Sequence, residues 1–324
     1  MIETIQEGFR TAWRNLLLVP AQIAAWVVVC VLFLVLFVPP VWFMAASGAF
    51  AEFGNGDPSL LLGWLAAHKG AVGVLAAVLL VWTIAASGAF FFVQAGTIHC
   101  LARSAQGRAQ GRARDRASFE MSVFWEGGKR FWWPLTVLAG LWFPVIFGII
   151  LLVGGLGFGA AWWAADMAQK GSVGGAIVVG VLGVGSSVLL CLAAALLAGA
   201  YWVYGQVILV VERTGGVGAF RDGIRFVNVN FLKSIGFYLL LIVGLVAASM
   251  AMSIVTFPFS IIPVIGFFIQ IPIQFVFMIA QIFLSIVMIA SLVHYYLRFV
   301  PAPGAGVLHS QTAQAEQPAE GGTA

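Results

Sequence analysis

The segment Gly216-Val217-Gly218-Ala219-Phe220-Arg221-Asp222-Gly223-Ile224-Arg225-Phe226-Val227-Asn228-Val229-Asn230-Phe231-Leu232-Lys233 decides how the rest of the chain is read. Val217, Phe220, Ile224, Val227 and Phe231 recur at steps of three and four, which predicts one helical stripe, with Arg221, Asp222, Arg225 and Asn228 facing away. An apolar run starts at Phe231 with no linker. A helix charged on one face and joined to such a run is expected to lie in the headgroup plane and set the angle of the span that follows.

Two other stretches read the same way. In residues 2–15, Ile2, Ile5, Phe9, Ala12 and Leu16 form the apolar stripe, with Glu3, Glu7, Arg10 and Arg14 turned away. A shift of 215 positions lays Glu7, Gly8, Phe9, Arg10 and Asn15 on Asp222, Gly223, Ile224, Arg225 and Asn230, a short repeat. From Phe119 to Arg130, Met121, Phe124 and Trp125 oppose Glu120, Glu126 and Lys129, and Phe131-Trp132-Trp133 stands where an aromatic interface belt is expected.

Composition fixes the class. Of 324 residues, 62% are hydrophobic and only 9% charged, and the mean hydropathy is +1.03. That is too little charge to coat a soluble globule of this size. The apolar runs exceed the roughly 20 residues that cross a bilayer as helix, which excludes transmembrane β-strands. The expected fold is all-α, a polytopic transmembrane bundle of six spans and three amphipathic interfacial helices.

In order, the spans are 16–38, 70–101, 135–159, 173–211, 231–256 and 264–299. Pro39-Pro40 is expected to end or kink the first, leaving 41–50 apolar beyond it, before a polar loop from Glu52 to Lys69. A short loop holding Trp162, Trp163, Asp166 and Lys170 is expected between spans three and four, and a tight apolar turn around Pro258 and Pro263 between five and six. Three helix-plus-hairpin repeats follow, at about 1–103, 117–213 and 214–300. The second and sixth spans both close on His-x-x-x-Arg, His99 with Arg103 and His294 with Arg298. The stretch 103–117 reads as a mobile basic loop, and the tail 301–324, rich in Ala, Gly, Gln, Glu and Pro, as disordered. Because the first apolar run is long and follows a charged amphipathic segment, a cleaved signal peptide is not expected.

Charge asymmetry orients the chain. Of the 16 Lys and Arg residues, 14 fall on the side of residues 1–15, 103–130, 212–233 and 298; only Lys69 and Lys170 fall on the other. By the positive-inside rule both termini are cytoplasmic and the membrane is the cytoplasmic one.

Candidate sites are few. Gln270, Gln274, Gln281 and Ser285 are spaced by four, seven and four on one face of the sixth span, with Pro272 interrupting it. Such a stripe lines a solute path or makes interhelical hydrogen bonds, the latter being the commoner use. No Asp, Glu, Lys, Arg or His falls at a span centre, which argues against an ion-coupled pump. Arg108, Arg112, Arg114 and Arg116 could meet anionic lipid headgroups, although plain topology also explains a basic loop. The absence of interleaved aromatics argues against nucleic acid. Gly183, Ser187, Cys191, Ala195 and Gly199 form a ridge of small residues that would let a neighbouring helix approach. Cys30, Cys100 and Cys191 lack disulfide or zinc spacing, the four histidines form no ligand set, and no catalytic motif occurs. Neither a metal nor a cofactor is therefore expected. The reading is a non-enzymatic membrane component whose partner is the lipid bilayer, with a permease for a neutral or lipid-like solute as the rival.

Glu212-Arg213-Thr214-Gly215-Gly216, then Ala219-Phe220-Arg221 and the run from Asn228 to Tyr238, resembles a broad group of prokaryotic membrane proteins similar to the membrane domain fused to glycerophosphodiester phosphodiesterases. The resemblance implies a six-span helical domain with no catalytic chemistry of its own and an accessory place in membrane-lipid metabolism. It carries no functional residue over.

Overall fold

The computed structural model describes residues 1–46, 63, 67–109, 119–260 and 263–299. They form eight helices and, among the described residues, no strand. These are α1 (Ile2–Arg14), α2 (Leu18–Ala46), α3 (Lys69–Ala109), α4 (Met121–Gln169), α5 (Val173–Val211), α6 (Gly216–Val229), α7 (Phe231–Ser260) and α8 (Pro263–Phe299). Six of them are long and apolar enough to cross a membrane, and the chain is an all-α polytopic bundle.

Several helices run past the boundaries the sequence suggested. α2 continues through Pro39 and Pro40, and α4, α7 and α8 continue through Pro134 and Pro144, Pro258 and Pro272. A long apolar helix tolerates the lost N–H bond because its other turns have no better alternative in lipid. The amphipathic stretch from Phe119 to Arg130 is no separate helix: all of it from Met121 onward runs straight into the span as the first turns of α4. Trp162, Trp163 and Asp166 sit in the last turns of the same helix rather than in a loop, and Lys170, its C-cap, pairs with Asp166. At 49 residues, α4 is roughly 70 Å long at the α-helical rise, far more than one bilayer core. The beginning of the basic loop is also ordered. Residues 103–109 extend α3, with Ser104 and Ala105 buried, so this stretch does have a face to bury. The Arg108 side chain, Arg112, Arg114, Arg116, most of the polar loop after Glu52 and the tail 301–324 lie outside the described residues.

The amphipathic helices pack by a face shifted toward their small residues, which keeps Ala12 and Val227 of the predicted stripes buried and Ile5, Phe220 and Ile224 partly buried against the core. In α6 the buried residues are Gly216, Ala219, Gly223 and Val227; in α1 they are Thr4, Gly8, Thr11 and Ala12. Val217 and Phe231, like Ile2, Phe9, Trp13 and Leu16, are exposed. Small side chains let one backbone cross another closely, while Phe9 and Trp13 rest edge-on against Phe283 of α8 and Ile2 and Val217 stay exposed. A Cβ added at Gly8 would stand 2.7 Å from the Ser291 nitrogen, one at Gly127 2.5 Å from the His99 Cβ, and one at Gly223 3.0 Å from the Gly205 Cα. In each case an acidic residue precedes the glycine: Glu7, Glu126 and Asp222.

These crossings define the architecture. α1 lies on the end of α8, the start of α4 on the end of α3, and α6 on the end of α5. Each unit's interfacial element thus clasps the closing span of the unit before it, and the first clasps the last. The three closing spans α3, α5 and α8 meet at that end of the molecule, burying Ile98 and Leu101, Tyr204 and Ile208, and Leu292 and Tyr295. Phe237 of α7 stacks on Tyr295 at 4.4 Å, and the Tyr204 hydroxyl donates to the Ser234 carbonyl at 3.1 Å. The opening spans α2, α4 and α7 do not pack on one another among the described residues. The repeat seen at Asn15 and Asn230 is structural too. Each caps its helix with nearly the same backbone, φ −105°, ψ 35° and φ −113°, ψ 35°, and each side-chain amide donates back to the carbonyl four residues earlier, Thr11 and Phe226.

Candidate functional site

α7 starts at Phe231 and α8 ends at Phe299, both at the clasp end, so the later half of α7 and the earlier half of α8 lie away from the clasps. There the two helices part around a groove of about 380 Å³. Gln274 and Gln281 enter it from α8, Ser249, Ser253 and Thr256 from α7, and Met252, Phe277 and Met278 complete the walls. The five polar residues lie at helical spacing on facing sides, at i, i+4 and i+7 on α7 and i, i+7 on α8, so each set projects from one face.

The hydroxyls and the amides in this groove are in different states. Ser249 donates to the Leu245 carbonyl at 3.0 Å, Ser253 to Ser249 O at 3.0 Å, and Thr256 to Ser253 O at 3.0 Å. Each keeps lone pairs free to accept. Gln270, Gln274 and Gln281 make no hydrogen bond among the described residues, and Gln274 and Gln281 are exposed. The interhelical bonding expected of this stripe is therefore not formed. Ser285 stands apart, donating to Ile282 O of its own helix at 2.7 Å, and Gln270 lies beyond the groove. The sequence pattern found one wall but missed the other, since Ser249, Ser253 and Thr256 read as ordinary small residues of an apolar span.

The glutamines that do bond across helices lie elsewhere. Gln22 Nε2 of α2 donates to Thr97 Oγ1 of α3 at 3.1 Å, and Gln94 Nε2 of α3 donates to Gln206 Oε1 of α5 at 3.2 Å. Gln22, Thr97 and Gln206 are buried. Beside them, between α2 and α3, is a second cavity of about 320 Å³, mainly apolar, walled by Trp26, Val29, Trp82, Phe90 and Phe91, with Gln22 and Gln94 at one end.

The small-residue ridge serves two neighbours, not one. Gly183 backs onto Ala160 and Ser187 onto Gly157, both on α4, whereas Gly199 backs onto the Tyr238 hydroxyl of α7. Cys191 is half-buried between these contacts and Ala195 is exposed. A row of residues four apart winds slowly around a helix axis, so over four turns it leaves one partner and reaches another. A π-helical turn at Gly180–Val184 lies at the start of the row. Among the described residues no three His, Cys, Asp or Glu side chains converge as a metal-binding group.

No protein-family model, no curated protein and no solved structure matches this chain.

Proposed function

We propose that this integral membrane protein is a non-enzymatic component of the cytoplasmic membrane, both termini inside, that takes a neutral or lipid-like solute into the groove between α7 and α8. The observation that carries this reading is the pair of unbonded amides, Gln274 and Gln281, opposite three hydroxyls in a groove of about 380 Å³. That is the size range of small-molecule pockets. An amide facing hydrocarbon with no partner costs roughly 2 kcal/mol or more, so water or a polar solute is the natural occupant. The groove holds no ionisable side chain, which suits a neutral molecule, and the two methionines and Phe277 suit one with an apolar part.

Single cysteines test it. In a background without Cys30, Cys100 and Cys191, Gln274→Cys and Gln281→Cys are expected to react with a small water-soluble thiol reagent, because the thiolate needs water at the site. Leu189→Cys, on an exposed side chain expected to face lipid, should not react. Unlabelled cysteines at 274 and 281 in the folded protein would remove the basis of the proposal.

The cavity between α2 and α3 supports a second reading, an accessory place in lipid metabolism of the kind the resemblance implies. An apolar chamber between two spans fits an acyl chain, with the Gln22 and Gln94 amides at its polar end. Lipid retained through purification, and lost on Ala86→Trp, would favour it.

A further inference from the structure

Where α3, the start of α4 and the end of α5 converge, on the side that carries most of the cations, there is a polar recess of about 180 Å³. His99, Arg103 and Gln106 enter it from α3, Glu126 from α4, and Arg213 from the turn after α5. Among the described residues neither arginine forms an ion pair, so both guanidinium forks are available to a ligand. With a neutral imidazole the recess carries two positive charges and one negative.

Arg213 supplies an independent observation. Its φ is 57°, and it is the one described non-glycine residue with a positive φ. The position directly after a helix C-cap is where glycine is usual, because a Cβ is sterically unfavourable there. Two glycines stand at 215 and 216, yet an arginine occupies the strained place. Strain of this kind persists where the side chain is needed, and here that side chain lines the recess.

We infer that this recess binds a phosphate group of single net charge, held by Arg103 and Arg213. Two guanidiniums match the oxygens of a tetrahedral phosphate, and Gln106 adds a neutral donor. Glu126 opposes a second negative charge, which selects a phosphodiester or a monobasic phosphate over a dianion. The phosphate is that of a phospholipid headgroup or of free phosphate. The recess is built from other helices than the groove of α7 and α8, so each stands or falls alone.

The test uses the full chain in maltoside detergent, with radiolabelled inorganic phosphate and dihexanoylphosphatidylglycerol as probes and dihexanoylglycerol as the phosphate-free control. Saturable binding of at least one phosphate probe is expected. It should weaken tenfold or more in Arg213→Gly and in Arg103→Gln, tighten in Glu126→Gln, and stay unchanged in Arg225→Gln. Because glycine relieves the backbone at 213, Arg213→Gly should melt at or above the wild-type temperature, which separates lost binding from lost folding. Binding of inorganic phosphate alone identifies a soluble source, and of phosphatidylglycerol alone the bilayer; either supports the site. The inference is overturned if neither probe binds, if dihexanoylglycerol binds equally well, if either arginine variant binds like wild type, or if Arg225→Gln weakens binding as much.

Discussion

Thr11 Oγ1 lies 2.8 Å from Nε2 of His294, a buried contact between residues 283 apart in sequence. The hydroxyl has one hydrogen, which goes to the Glu7 carbonyl at 2.9 Å, so the ring nitrogen is the donor and the Thr11 oxygen the acceptor. Around it, Arg298 reaches Glu3 and Glu7 at 3.4 and 3.3 Å, and Glu7 stands 3.8 Å from Nδ1 of the same histidine. The exposed ion pairs add little in water, whereas the buried bond fixes where α1 sits.

Thr11→Val keeps the shape and removes the oxygen that accepts from the buried ring, so this interhelical hydrogen bond is lost. The expected loss is about 1–3 kcal/mol, read as a lower melting temperature in detergent. Glu3→Gln, which touches only the exposed end of the network, should change melting little.

The close crossings make their own test. Gly8→Ala places a Cβ 2.8 Å from the Ser291 Cα, a backbone atom that cannot swing aside. The expected cost is about 1–3 kcal/mol. Gly244→Ala, with nothing within 4 Å of the added Cβ, should be neutral or stabilising by up to about 1 kcal/mol, since alanine is the better helix former. Equal effects at the two sites in thermal melting would show that the crossing is looser than described.

Along the small-residue row, bulk should matter only where a partner stands. Gly183→Leu meets Ala160, whose Cβ is 2.5 Å from the site of the new Cβ, and should cost about 1–3 kcal/mol. Ala195→Phe, on an exposed position of the same row, should be close to neutral in detergent melting.

Reporter fusions check the orientation. After Asp57 and Asp166 they should report outside, and after Arg112, Arg221 and the C-terminus inside, as the 14-to-2 distribution of cations requires. An external C-terminus would leave the six-span arrangement without its expected sidedness.

The helices were legible because apolar length alone specifies a span, and the repeat was legible because Glu7-Gly8 and Asp222-Gly223 share a spacing. What the pattern misjudged was how much of each stripe packs on protein: Ala12 and Val227 are buried, Ile2 and Val217 are not. Hydrophobic periodicity locates the face that avoids water, but a helix lying on a membrane can bury its glycines in protein and leave Ile2 or Val217 exposed, so the two apolar environments are indistinguishable in sequence. The groove was half visible for a related reason. Glutamines stand out in an apolar span, whereas Ser249, Ser253 and Thr256 bond to their own helix and carry no sign in sequence that they face Gln274. Gln22 and Thr97, bonded at 3.1 Å, are 75 residues apart and lack any periodic cue.

The clasp of α1 onto α8 also sets a timetable for assembly. The second and third clasps join neighbours in sequence, so each can close soon after its helices leave the ribosome. α1 is made before any of them, yet its seat at His294 comes 283 residues after Thr11. Through most of translation its seat on α8 is missing, and its exposed Ile2, Phe9, Trp13 and Leu16 suit it to wait on the membrane surface until the sixth span arrives. Its docking then turns a row of three hairpins into a closed ring, and until that event only the middle unit is held on both sides.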